Sequence, residues 1–257
     1  NKVDTQTIVD SGITAASRGT VMGAQSVKMA GEELKALLLD TAAMMFHAPV
    51  EMVVLEDGFF KLAGVPDAMI PWQAVCECHH WTGGQGGVMT WFKPPHLHFD
   101  EEKGCGDGFP TYTYSVVVSE VEVDTETGEI KVERVTSAHD CGNIINPKNL
   151  TGQIHGGVVM GMGFAMLENI AMKDGHILSD NMDTYMIPSS LDTPEIVPML
   201  FECEDPTGTF GSKSIGEPSS EGVASSVVNA LRNALNIEIH SIPINKVKLY
   251  EMLHQQQ

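Results

Sequence analysis

TFGSKSIGEPSSEGVASSVVNALRNALN, residues 209–236, sets a carboxylate at the point where a loop becomes a helix. Val223, Val227, Leu231 and Ala234 recur at helical spacing, and Pro218 suits the first position of that helix. Glu217 is then expected as its cap. A helix N-terminus favours negative charge, while burial raises a carboxyl pKa, and a carboxylate held between these pulls can act as a general base. The plain alternative is an exposed capping glutamate, which residue types alone leave open.

Within this stretch, GSKSIGEPSSEGVASSVVNAL (211–231) resembles the C-terminal active-site signature of the molybdenum hydroxylases, the xanthine dehydrogenase and aldehyde oxidoreductase family. In that family a glycine-glutamate-proline run carries the catalytic base, which the resemblance places on Glu217, with Gly216 beside it at the cofactor. A second stretch, HDCGNIINPKNLTGQIHGGVVMGMGFAMLEN (139–169), is similar to the segment whose glutamine approaches the molybdenum–pterin centre, here Gln153. A third, DTQTIVDSGITAASRGT (4–20), resembles the cofactor loop ahead of a long helix and implies contacts from Ala15, Ala16, Ser17, Arg18, Gly19 and Thr20. The three follow the family's order across nearly the whole chain. The resemblance implies that molybdenum is held through the pterin, with no side chain of this chain as a direct ligand.

Composition narrows the function class. A 257-residue chain with 42% hydrophobic residues can bury a core as one large domain or two modest ones. Its net charge of −19 argues against nucleic acid or an anionic membrane as a partner. Residues near Asn1 form no targeting segment and no apolar run is long enough to span a bilayer, so the cytoplasm is the expected location. Five cysteines, an odd number, fit reduced thiols better than a disulfide framework.

Along the chain, Val27, Leu34, Leu37, Leu38 and Met45 mark a long helix after the small, polar run 11–20. A loop entering a helix N-terminus can hold pterin phosphate or a dinucleotide pyrophosphate on backbone N–H groups, with Arg18 in support; an ordinary capped helix is the alternative. Residues 50–55 and 59–63 around Glu56-Asp57-Gly58 read as a hairpin, 70–78 as a short helix and 79–109 as a long loop. Cys76, Cys78, His79 and His80 invite a zinc site, although their spacing is not that of paired zinc ligands. Residues 111–123 and 130–135 read as a second hairpin across 124–128, and 196–204 as a strand.

Glycines 152, 156, 157, 161 and 163 crowd one helical pattern. Each costs about 1 kcal/mol relative to alanine, so they call for close approach of another backbone or of a bulky cofactor. Gln153 stands at the start of this pattern, with an amide that donates and accepts at once. The tail offers a β-like run at 237–244 and a short helix, VKLYEML.

The fold class expected is α+β: a partial molybdopterin-binding domain of the xanthine dehydrogenase type (1–257), with sub-lobes of roughly 1–110 and 111–257, completed by a partner chain. The chain opens without methionine inside the cofactor-loop motif, and in this it resembles the split molybdopterin subunits of nicotinate dehydrogenases. The resemblance implies hydroxylation of an electron-poor carbon of an N-heterocycle, of nicotinate or purine type, with water as the oxygen source and Glu217 as base. Aldehyde oxidation is the alternative. It further implies molybdopterin as the cytosine dinucleotide, a larger molybdopterin subunit, and partner subunits carrying iron–sulfur clusters and FAD. Two rivals remain: a noncatalytic subunit that only closes a partner's cofactor site, and a zinc-binding module at Cys76 to His80.

Overall fold

The computed structural model describes residues 4, 6, 10, 12–94 and 97–254. Parts of the 4–20 motif (5, 7–9 and 11), of the expected 79–109 loop (95 and 96), and the terminal glutamines 255–257 lie outside the described residues. The chain divides into two compact units, Met22–Pro94 and Asn1–Val21 with Pro95–Gln257. This differs from the division expected near residue 110. Within the larger unit, the two segments are tied by hydrogen bonds from Thr209 Oγ1 to Thr20 O (3.0 Å) and from Val21 N to Ser214 Oγ (3.3 Å).

In the smaller unit, helix α1 (Ala24–Phe46) follows a π-helical turn (Gly19–Gly23) and ends at His47, whose left-handed backbone (φ 52°) returns its N–H to the last turn. Strands β1 (Val53–Glu56) and β2 (Phe59–Leu62) form the expected hairpin, with positive φ at Asp57 and Gly58 as a tight two-residue turn requires. Residues 70–78 were expected to be helical throughout, but β3 (Met69–Pro71) joins this sheet first. Helix α2 (Trp72–Trp81) starts only after Pro71, whose extended backbone ends the strand. Ala42, Val53, Phe60 and Val75 form the buried core of this unit. The expected long loop is also partly structured: α2 runs to Trp81, and β4 (His98–Asp100) pairs with β5 (Cys105–Asp107).

The larger unit is organised on a three-stranded sheet in the order β10-β7-β6. Strands β6 (Ser115–Asp124) and β7 (Glu129–Asp140) are antiparallel, and their turn closes at Gly128 (φ 74°), where a Cβ would press on the backbone of Tyr250 at 2.9 Å. Strand β10 (Glu195–Phe201) pairs parallel to β7. Parallel neighbours need a crossover, and helix α3 (Pro147–Met166) lies within that connection, ahead of the short hairpin β8 (Met172–Lys173) and β9 (His176–Ile177). Pro147 opens α3 and the Asn146 side chain caps it, accepting from Asn149 N at 3.0 Å.

The expected helix after Glu217 is broken at Gly222 into α4 (Pro218–Glu221) and α5 (Val223–Leu235). Val135, Ile154, Val158, Met162, Val227 and Leu231 form the centre of the core, where β7, α3 and α5 meet. Leu231 is fully buried, so Leu231→Ala should lower unfolding free energy by about 2–5 kcal/mol, read as a lower denaturation midpoint.

The expected strand at 237–244 does not form. Ile239 and Ile244 enter the core as irregular chain, because Pro243 has no N–H and Ile244 N bonds Ala165 O (2.7 Å) at the end of α3 instead of a neighbouring strand. Helix α6 (Lys246–His254) then buries Leu249. Among the described residues no helix is long and apolar enough to cross a membrane.

Candidate functional site

Two segments leave the sheet at the carboxyl ends of the parallel pair: the turn from β7 into α3, which carries Gln153, and the loop from β10 to α4, which carries Glu217. They meet where Gln153 Nε2 donates to Gly216 O at 2.8 Å, a carbonyl that Ser219 Oγ also reaches at 3.0 Å. Gln153 keeps a second N–H and its carbonyl for another group.

Glu217 stands at the expected N-cap position ahead of Pro218, with helical backbone angles, but its side chain makes no capping bond. The 12–20 loop provides closer donors. Ala16 N donates to Oε1 at 2.9 Å, Ser17 Oγ donates to Oε2, and Glu217 N donates back to Ser17 Oγ at 2.8 Å. The Ser17 hydroxyl is the main cause holding this carboxyl below its ordinary pKa; slight desolvation opposes it and the Ala16 N–H adds to it. Glu217 is exposed and ionised at neutral pH, with a lone pair left on each oxygen.

Ala16 and Ser17 occupy the left-handed region (φ 54° and 51°), which costs a residue bearing Cβ about 1–3 kcal/mol. The bonds to Glu217 offset that strain. Gly216 leaves the room required, since a Cβ there would lie 2.9 Å from Ser17 Oγ.

The structure thus joins Ala16, Ser17, Gln153, Gly216 and Glu217. The other expected loop residues do not enter that set: Ala15 O accepts from Arg18 N at 3.3 Å, Arg18 is exposed, Gly19 opens the π-helical turn, and Thr20 O is taken by Thr209. The N–H of Ala16 is bound to Glu217; those expected to face an anion are near Ser17, Gly19 and Thr20.

Beside Glu217 lies a groove of about 310 Å³ lined by Gly152, Gln153, Gly156, Gly157, Met160, Gly216, Glu217, Ser219 and Ser220. Four of the five α3 glycines fall into two groups, while a Cβ at Gly163 would meet the side chains of Glu168 and Pro188. A Cβ at Gly157 would lie 2.7 Å from the Ser219 carbonyl carbon and one at Gly161 would lie 2.9 Å from Ser220 O, so these admit α4 and α5. A Cβ at Gly152 or Gly156 would meet nothing within 4 Å. Residues 152, 156 and 160 follow one another at four-residue spacing, a stripe visible in the sequence that a count of glycines does not separate from its neighbour. The bare stripe and the Gln153 amide suit the edge of a flat, polar ring system. The volume lies at the low end of the ~300–1,000 Å³ range of small-molecule pockets, enough for part of a dinucleotide cofactor.

In the smaller unit, His79 is engaged by Thr41 Oγ1 at Nδ1 (2.7 Å) and by Gln85 O at Nε2 (3.2 Å). Among the described residues no group of three or more His, Cys, Asp or Glu side chains is placed to hold a metal ion, so Cys76, Cys78, His79 and His80 do not form the zinc site considered from sequence.

The family model for the molybdopterin cofactor-binding domain matches residues 1–194, which include the loop and Gln153 and end before Glu217. The putative xanthine dehydrogenase molybdenum-binding subunit XdhA of Escherichia coli (strain K12) is 28% identical over 251 residues, covering 93% of this chain and 31% of its own length. The nicotine 6-hydroxylase large subunit of Paenarthrobacter nicotinovorans is 30% identical over 224 residues, covering 87% of this chain and 27% of its own length. Quinoline 2-oxidoreductase from Pseudomonas putida 86 superposes with a TM-score of 0.78 at 27% identity, over 94% of this chain and 31% of that one. The chain therefore spans about three tenths of the length of the relatives that it matches.

Proposed function

The chain belongs to the molybdopterin cofactor-binding domain family, and from that premise we propose that it is the base-bearing part of the molybdenum-binding subunit of a hydroxylase. The observation that carries this reading is a single constellation: Glu217, kept ionised by Ser17 and Ala16, stands beside Gln153 and the bare glycine stripe of α3. The molybdenum–pterin group, when bound, supplies two-electron redox chemistry. Gln153 and the shelf at Gly152 and Gly156 would hold its edge, and the 15–20 loop, with Arg18, would hold its phosphates. Glu217 takes the proton from the water that becomes the oxygen nucleophile, at the lone pairs its two donors leave open. Ser17 and Ala16 stop the carboxylate from rotating away.

The substrate we propose is an N-heterocycle with an electron-poor carbon, of nicotinate or purine type. The names of two relatives, a nicotine 6-hydroxylase and a quinoline 2-oxidoreductase, are of that class. The remaining walls of the site then belong to a larger molybdopterin subunit, with iron–sulfur and FAD subunits carrying electrons away in the cytoplasm, and the pterin is the cytosine dinucleotide. A spectrophotometric screen of the assembled enzyme against nicotinate, xanthine and an aldehyde tests the assignment. Turnover of the aldehyde alone would overturn it.

The Ser17 contact has a pH signature. Glu217 works as the carboxylate, so activity rises with pH through its pKa, and Ser17 holds that pKa down. Ser17→Ala should raise it and move the acid limb of the kcat/KM profile to higher pH, with the alkaline side unchanged. An acid limb that stays in place would show that this contact does not tune the group being titrated.

A further inference from the structure

Lys213 and Asp140 form an ion pair (2.5 Å) whose side chains are 9% and 12% exposed. Lys213 Nζ also donates to Tyr112 O at 3.0 Å and lies 5.9 Å from the centre of the Tyr114 ring. Taking both charges out of water offsets much of their attraction, so such a pair is a poor source of stability, and what it holds in place matters more.

Each oxygen of Asp140 serves a different arm of the site. Oδ1 accepts from Gly142 N at 3.2 Å and shapes the turn that runs through Asn146 into α3 and Gln153. Oδ2 accepts from Lys213, four residues before Glu217. The two arms are joined again at backbone level, by Lys213 N to Cys141 O (2.9 Å) and Asn143 N to Gly211 O (2.9 Å), with Gly142 and Ser212 forming an antiparallel bridge. They meet a third time where Gln153 bonds Gly216 O. The contacts close a ring that starts and ends at Asp140.

We propose that Asp140 and Lys213 are positioning residues: the pair sets the spacing between the arm carrying Gln153 and the arm carrying Glu217. The proposal rests on the reading of Glu217 as the base. Removing the pair should let the 213–217 segment drift while the sheet remains.

The test compares Asp140→Asn/Lys213→Met, which removes both charges together, with Lys213→Arg, which keeps the ionic contact. The assembled enzyme is assayed for kcat, KM and molybdenum content, and amide hydrogen exchange is followed in this chain. For the double variant, kcat should fall by about 10²-fold, the loss that a ~1 Å misplacement can cause, with KM and molybdenum content near wild type. Exchange should quicken at 213–217 while β6 and β7 stay protected. Lys213→Arg should keep most of the wild-type kcat.

Three results would overturn the proposal: kcat within twofold of wild type in the double variant, a lower kcat with unchanged exchange at 213–217, or protection lost throughout the unit, which would make the pair a general stabiliser. Glu217→Gln run in parallel separates the two readings. If it leaves the rate intact, the base assignment fails, while the exchange data still judge the clamp.

Discussion

Glu217→Gln should lower the turnover number of the assembled enzyme by at least ~10²- to 10⁴-fold, the usual contribution of general-base assistance, with molybdenum and pterin content near wild type. The change keeps the shape of the side chain. A glutamine oxygen can still accept from Ala16 N, and Glu217 N can still donate to Ser17 Oγ, so the 12–20 loop retains its anchor. What is lost is the lone pair that takes up a proton near neutral pH, because an amide oxygen is far too weak a base. An exposed helix cap would respond differently, with about 0.3–1 kcal/mol of stability lost and no change in rate. The geometry already departs from a cap, since the carboxylate bonds Ala16 and Ser17 and none of the N–H groups of α4. A variant with full cofactor and near-normal turnover would remove Glu217 from the mechanism and leave this chain only a role in closing the site.

Local rules made much of this legible and misjudged a definable part. The long helix, the two hairpins and the crowded glycine helix follow from period and turn chemistry, which act over a few residues. The strand-like pattern at 237–244 failed because an isoleucine at every second or third position describes burial and says nothing of a pairing partner; Ile244 N found the carbonyl of Ala165 instead. The same limit applies at Glu217. A glutamate ahead of a proline reads as a cap, while its actual donors stand 200 and 201 residues away in sequence. No spacing rule could find them. Family resemblance pointed to both segments, and the structure adds the bond between them, the direction of the pKa shift and the strained left-handed pair that the bond holds. The Asp140–Lys213 pair was invisible for the same reason, its partners lying 73 residues apart.

Gly156→Leu and Gly157→Leu, adjacent on one helix, should fail in different ways. At Gly157 a Cβ would press into Ser219, lying 2.7 Å from its carbonyl carbon, so α4 must move away and Glu217 with it. Overpacking of this kind costs about 1–3 kcal/mol or more, and both the melting temperature and cofactor content should drop. At Gly156 a Cβ meets nothing within 4 Å. Leucine is the better helix former there by about 0.8–1 kcal/mol, so the melting temperature of the chain should hold or rise. Its side chain would nevertheless occupy the groove between Gln153, Met160 and Glu217, where the cofactor edge is assigned. If displacing that edge costs the same ~1–3 kcal/mol, affinity falls about 5-fold to 150-fold, and molybdenum and pterin in the purified enzyme fall with it. The two measurements together locate the cofactor without relying on activity. A Gly156→Leu protein with normal stability and full cofactor would show that the bare stripe faces something else, and the assignment of Gln153 would fall with it, since both line the same groove.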